Sequence, residues 1–210
     1  LLMTLPKGAS TIVSDRPRPA LVLASESPRR KALLAQIGIT PDAVLAAHAD
    51  ERVLKDELPR AHALRLAREK AAIVQDEWTG APALILAADT VVACGRRILP
   101  KAESDEQVRQ CLSLLSGRRH QVLTAIALVA PDGKPRSRIV MTRVGFVRLD
   151  AARIAAYVES REGLGKAGGY AIQGRAGAFI AGLQGSYSNV VGLPLTEVAG
   201  LLGACGYPVL

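Results

Sequence analysis

Apolar residues in this chain fall either in short unbroken runs or in helically spaced stripes, and the two kinds alternate. The run ALVLA (20–24) has no polar interruption and reads as a buried strand. It breaks into SESPRR, after which KALLAQIGI sets Leu33, Leu34 and Ile37 on one helical face. Ser27 stands where a side chain caps a helix, and Pro28 where the first turn tolerates proline. PDAVLAA (41–47) predicts a second strand, and the polar HADERVLKDELPR a bend. Leu64, Ala67, Ala71 and either Ile73 or Val74 predict an amphipathic helix over 61–74 with a basic outer face. ALILAADTVV (83–92) is the strongest strand signal and runs directly into Asp89; CGRRI then reads as a turn. Ser104, three residues before Gln107, resembles a capping box opening a helix that ends near Gly117. HQVLTAIALVAP and RSRIVMTRVGFVRL flank PDGKP, which predicts a long antiparallel hairpin. Asp150 caps a further helix, ARIAAYVES, and a last helix begins near Pro194. Together these elements predict an α/β fold with a mixed sheet. Residues 1–18 follow no period and read as a leader to one domain over 19–210.

Composition narrows the class. The chain has 210 residues, enough for one domain with a sizeable core at 49% hydrophobic content. No stretch approaches the roughly 18 unbroken apolar residues of a membrane span. Three scattered cysteines suggest neither a disulfide framework nor a zinc site, so a reduced, cytoplasmic setting is the expectation. The net charge of +8, carried mostly by arginine, points to polyanionic partners such as nucleotides or nucleic acid. Aromatics at 3% are too sparse for rows of base-stacking platforms, which argues against stable nucleic-acid binding and favours small phosphorylated ligands.

Four groups of residues carry candidate chemistry. Ser25-Glu26-Ser27-Pro28-Arg29-Arg30 joins a strand to a helix N-terminus, where free N–H groups and two arginines suit phosphate oxygens. The plainer alternative is a helix cap with two surface arginines. Asp89-Thr90 follows five apolar residues at the carboxyl end of a buried strand, a common ligand position in open α/β sheets. A buried carboxylate there calls for a cation or metal nearby, unless it only caps a turn. Asp50, Glu51, Lys70, Lys101 and Lys166 could hold a divalent ion and neutralise a triphosphate, although each alone reads as a solvated charge. Gly168-Gly169-Tyr170-Ala171-Ile172-Gln173-Gly174 and Gly185-Ser186-Tyr187-Ser188-Asn189 let backbone approach a ligand closely, and the Gln173 amide can read a base edge. His48, His62 and His120 have no metal-ligand spacing; His62 reads as a helix-surface residue and His120 as the start of a strand. Cys111 reads as core rather than nucleophile. Neither a dinucleotide fingerprint nor a Walker loop is present.

Seven stretches taken in order resemble the Maf family of nucleoside triphosphate pyrophosphatases: LASESPRRKALLAQIG, LRLAREKA, LILAADTVV, the lysine of ILPKA, LSGRRHQVLTA, KAGGYAIQG and GSYSNVVGLPL. The resemblance spans about residues 20–200 and implies a Maf/Ham1 (ITPase-like) fold, a mixed twisted sheet with helices and two lobes around a cleft, often in a homodimer. It implies cleavage of a nucleoside triphosphate to the monophosphate and pyrophosphate with a divalent metal such as Mg, Mn or Co. Asp89 matches the family's proton acceptor, and Arg29, Thr90 and Gln173 match positions tied to substrate selection. Glu51, Lys70, Arg30 and Lys101 match polar groups of the cleft, with Glu51 and Asp89 expected to hold the metal; Ser25 and Lys166 complete the expected substrate-binding set. YAIQG followed by GSYSNVVGLPL resembles the branch acting on dTTP and UTP. Three positions depart from the family pattern: Ala102 where proline is usual, Gly165 for a common aspartate, and Glu26 for glycine or threonine. The competing class is a non-catalytic nucleotide or nucleic-acid binder acting in cell-division (septum) control.

Overall fold

The computed structural model describes residues 18–209. The expected leader lies outside the described residues except for Arg18, whose guanidinium forms a two-pronged pair with Asp42 at 2.8 Å and lies over the Tyr207 ring. The elements are β1 (Ala20–Ala24), α1 (Pro28–Gln36), β2 (Ala43–Leu45), α2 (Pro59–Glu77), β3 (Ala83–Cys94), β4 (Arg97–Leu99) and α3 (Asp105–Leu115). They continue with β5 (Arg119–Val129), β6 (Pro135–Phe146), α4 (Ala151–Glu159), a 3-10 helix (Arg175–Phe179), β7 (Ile180–Gln184), α5 (Tyr187–Val191) and α6 (Leu195–Ala204).

One sheet runs in the order β2-β1-β3-β5-β6-β7, with β4 folded back on β3. The β2-β1-β3 part is parallel, and the rest is antiparallel. Alternation along each strand divides the core in two. Leu21, Leu23, Leu84, Leu86 and Ala88 face one layer, with Leu34, Leu112, Leu115 and Leu202. Val22, Ala24, Ile85, Ala87 and Val91 face the other, where α2 presents Ala63, Ala67, Ala71 and Val74. Small residues on both sides let α2 lie close to the sheet.

Several local expectations need correction. Asp89 is not at the end of β3: the strand continues to Cys94, because β5 pairs with it from Ile85 to Ala93. Only its parallel neighbour stops early, since β1 pairs no further than Ala24 with Ala87. CGRRI does not simply turn but folds back as β4. Ser27 occupies the N-cap of α1 without a side-chain bond; its own N–H donates to Ser25 Oγ at 3.3 Å. The Ser104 and Asp150 caps form as expected. The GSYSN segment is not a loop offering itself to a ligand. Ser186 caps α5, and Asn189 is fully buried, donating to Val122 O and Thr142 Oγ1.

Candidate active site

Where β1 ends, β3 has no strand partner on that edge over residues 88–91, among the described residues, before β4 joins it at Val92, and a cavity of about 400 Å³ opens there. Asp89 shares its strand face with Ile85, Ala87 and Val91, the face that α2 covers. Lys70 lies on the same stripe of α2 as Ala63, Ala67 and Ala71. Strand and helix registers thus bring the two charges together: Lys70 Nζ donates to Asp89 Oδ1 at 2.7 Å and to Glu51 Oε1 at 2.6 Å. Lys70 and Asp89 are both buried. Burial alone would raise the Glu51 carboxyl, but the hydrogen bond and charge of Lys70, with Lys101 and Arg30 behind, hold it below the usual range.

The turn after β1 supplies the second group. Arg30 donates to Gly192 O and to Ser25 Oγ at 2.9 Å, and more loosely to Thr90 Oγ1 at 3.4 Å. Thr124 gives its single hydroxyl hydrogen to Asn189 O, so Thr90 donates to Thr124 and offers a lone pair to Arg30. Thr90 is therefore engaged with Arg30 from below. Burial pulls the Arg30 guanidinium below its ordinary value, opposed by the charge of Asp89. Arg29 is lowered by burial as well, and among the described residues it has no hydrogen-bond partner.

Lys101 and Lys166 stand on two segments zipped together. Gly165 N donates to Ala102 O at 2.7 Å, Ala102 N to Lys166 O at 3.0 Å, and Gly168 N to Pro100 O at 3.0 Å. Two of the three departures from the family pattern are thus bonded to each other. Ala102 supplies an N–H that a proline lacks, and Gly165 sits at φ 67°, where glycine is unstrained. Beyond them Gly168, also at φ 67°, lies against Val92; a Cβ there would come within 2.8 Å of Val92 Cγ1. Tyr157 Oη accepts from Ala171 N at 3.0 Å, and Tyr170 Oη lies 2.7 Å from His120 Nε2. The Gln173 amide, held at the end of this braced segment, is exposed and has no hydrogen-bond partner among the described residues.

All ten expected site residues line this one cavity: Ser25, Arg29, Arg30, Glu51, Lys70, Asp89, Thr90, Lys101, Lys166 and Gln173. Five cations there face three carboxylates (Glu26, Glu51 and Asp89), a surplus of positive charge suited to a polyphosphate. His62 also lines it and is buried, contrary to its expected place on the helix surface. The signal was the four-residue spacing of His62, Leu66 and Lys70, which sets all three on one side of α2. Tyr170 is a further lining residue that the sequence reading left without a role.

The donor set fits a hard divalent cation. Each of Glu51 and Asp89 engages Lys70 through one oxygen, leaving Asp89 Oδ2 and Glu51 Oε2, the latter 4.0 Å from Lys101 Nζ. No cluster of three or more His, Cys, Asp or Glu forms among the described residues. Magnesium commonly takes one or two carboxylates and completes its shell with waters and substrate phosphates.

Fold and cavity together define an α/β protein with a cationic, carboxylate-centred cleft. The family model for Maf-like proteins matches residues 20–205, and the chain belongs to the Maf family. It is 60% identical to a dTTP/UTP pyrophosphatase of Caulobacter vibrioides, covering 90% of this chain and 97% of that one. It is 59% identical to a dTTP/UTP pyrophosphatase of Paramagnetospirillum magneticum, covering 89% and 97%. A solved nucleoside-triphosphatase / dITP/XTP pyrophosphatase from Mycobacterium abscessus matches at 18% identity and a TM-score of 0.42, covering 89% of this chain and 96% of that one. Among the described residues no helix is long and apolar enough to cross a membrane.

Proposed function

We propose that this protein hydrolyses dTTP and UTP to the nucleoside monophosphate and pyrophosphate. The carrying observation is the cavity in which Glu51 and Asp89 share Lys70 while Arg29, Arg30, Lys101 and Lys166 surround them. Water attacks the α-phosphorus, its proton passes to Asp89, and the bond from that phosphorus to the oxygen bridging to the β-phosphorus breaks. Pyrophosphate leaves with that oxygen. The arginines and lysines stabilise charge on the phosphates from fixed positions, usually the largest catalytic contribution. Glu51 and Asp89 are the residues that would hold Mg²⁺, Mn²⁺ or Co²⁺, and such an ion lowers the pKa of bound water and offsets phosphate charge. Names carried by relatives at 55–60% identity support the pyrimidine assignment.

Base selection falls to Gln173. Its amide offers both a donor and an acceptor, as a uracil or thymine edge requires. Cytosine inverts the pattern at N3 and C4, so dTTP and UTP should be turned over ahead of CTP, and all three well ahead of dATP and dGTP. Three free cysteines support a cytoplasmic location. A homodimer, common in the family, is decided by sedimentation. Incubation with dTTP and Mg²⁺ tests the reaction itself: thymidine monophosphate and pyrophosphate are expected, and orthophosphate as first product, or no turnover, overturns it.

A further inference from the structure

Glu51 has an unusual support. It stands in residues 46–58, a stretch between β2 and α2 with no strand or helix of its own, and its side chain is 44% exposed. A catalytic carboxylate on such a segment needs an anchor beyond its own contact with Lys70. The segment carries one at Glu57, which with Arg65 stands outside the cleft lining. The Glu57 side chain is only 8% exposed. It accepts from Arg65 Nε at 2.7 Å, from Arg65 Nη2 at 3.0 Å and from Leu54 N at 3.0 Å, and lies 2.8 Å from His62 Nδ1. Arg65 Nη2 also donates to Arg52 O at 3.0 Å, on the residue that follows Glu51. One guanidinium on α2 thus grips the segment at two points, at Glu57 and next to Glu51. Between those points Asp56 adopts φ 58°, a left-handed conformation disfavoured by a Cβ, so the chain is folded back tightly to reach the grip.

We propose that Glu57, gripped by Arg65 and His62, is a positioning residue that holds the Glu51 segment over the cleft. The inference rests on the reading of Glu51 as a carboxylate of the reaction centre. Its physical logic is competition. In the protein alone, Glu51 is held by Lys70, which also serves Asp89. A cation held on Asp89 Oδ2 and Glu51 Oε2 would repel the Lys70 ammonium and draw off carboxylate charge, so the bond that places Glu51 would weaken when its placement matters most. The Glu57–Arg65 grip is untouched by that competition. Arg65 is the right residue for it: its planar fork bonds Glu57 with two nitrogens while one of them reaches Arg52 O, which an ammonium cannot reproduce.

Glu57→Gln and Arg65→Lys test the proposal on the full chain. The Gln variant keeps the shape and loses the charge; the Lys variant keeps the charge and loses the fork. Amide hydrogen exchange in the nucleotide-free protein should accelerate at least tenfold over residues 50–57 in both, with β3 and β5 unchanged. In turnover of dTTP, kcat should fall about tenfold and the Mg²⁺ concentration for half-maximal rate should rise severalfold, while the ranking of nucleotide bases stays as in the wild type. Wild-type exchange over 50–57 overturns the proposal, as does exchange that accelerates equally throughout the fold, which would make Glu57 a general structural residue. A wild-type Mg²⁺ dependence in both variants overturns it too. If the wild-type protein cleaves no nucleotide, the functional reading fails, and the exchange measurement still decides whether Glu57 holds the segment.

Discussion

Arg30 and Gln173 look into the same cleft from opposite kinds of surroundings. Arg30 is bonded to Gly192 O, Ser25 Oγ and Thr90 Oγ1, and Lys70 is held between two carboxylates. Gln173 is exposed and has no hydrogen-bond partner among the described residues, and the bracing around it is applied to its backbone segment through Tyr157, Tyr170 and the glycines. Arg30 and Lys70, the groups proposed to meet the phosphates, are thus held by their neighbours before any ligand arrives, as electrostatic stabilisation requires, while Arg29 has no hydrogen-bond partner among the described residues. At the end proposed to meet the base, a hydrogen-bonded segment presents the Gln173 amide. On the proposed reading the amide adds affinity only for a base whose edge it matches, since it returns to water otherwise. Truncation at the first end should therefore damage rate, and at the second end ranking.

The largest effect that sharpens this contrast is Asp89→Asn. The substitution keeps the shape but removes the charge beside Lys70 and the basicity that accepts a proton. Turnover of dTTP should fall by about 10² or more with the order of nucleotides preserved, while circular dichroism stays native. Near-normal turnover would make Asp89 a structural partner of Lys70 and pass the role of base to Glu51.

A stability measurement probes the bracing of the other end. His120 on β5 is 2% exposed, and burial holds its imidazole down at about 4. An unfolded histidine titrates near 6.5, so between these values the unfolded chain binds a proton that the native one refuses. Stability is complete above about pH 6.5 and is lost as pH falls toward 4, by about 2 kcal/mol at pH 5. Urea unfolding of His120→Gln should show a shallower loss than the wild type over that window. Equal slopes would show that His120 does not govern acid stability, and that the brace under Tyr170 is held by its aromatic neighbours.

The same division runs through what the sequence disclosed. ALVLA, ALILAADTVV and HQVLTAIALV were legible because burial on both faces leaves long apolar stretches, whereas β6, exposed along much of its length, was legible because it follows the turn PDGKP. β7 was not: as an edge strand with only partly buried or exposed residues, IAGLQ carries neither a run nor an alternation. β4 has three residues, and α5 only five. Asp89 announced itself as a charge inside an apolar run. Glu51, by contrast, lies in HADERVLKDELPR, where every charge looks solvated; the residues offered it only together with Asp50, and the family resemblance chose between the two. Glu57 and Arg65 escaped for a related reason. Their partnership crosses from an irregular segment into a helix, and no local period marks it.

Gln173→Ala is the finest cut, and it separates the two ends most cleanly. The residue forms no hydrogen bond with the charged groups among the described residues, so kcat for dTTP and the Mg²⁺ dependence should stay within about twofold of the wild type. What changes is preference. A neutral hydrogen bond contributes about 1 kcal/mol net, so the advantage of dTTP over CTP should shrink by about fivefold. The exposed amide returns to water when a base does not match it, so the shrinkage should come mainly from weaker binding of dTTP, with CTP little changed. Competition between the two nucleotides in one reaction reads this ratio directly. A ratio unchanged by the substitution would move base reading to the backbone of the 168–174 segment, and Gly168→Ala, which drives a methyl against Val92, would become the residue change that alters it.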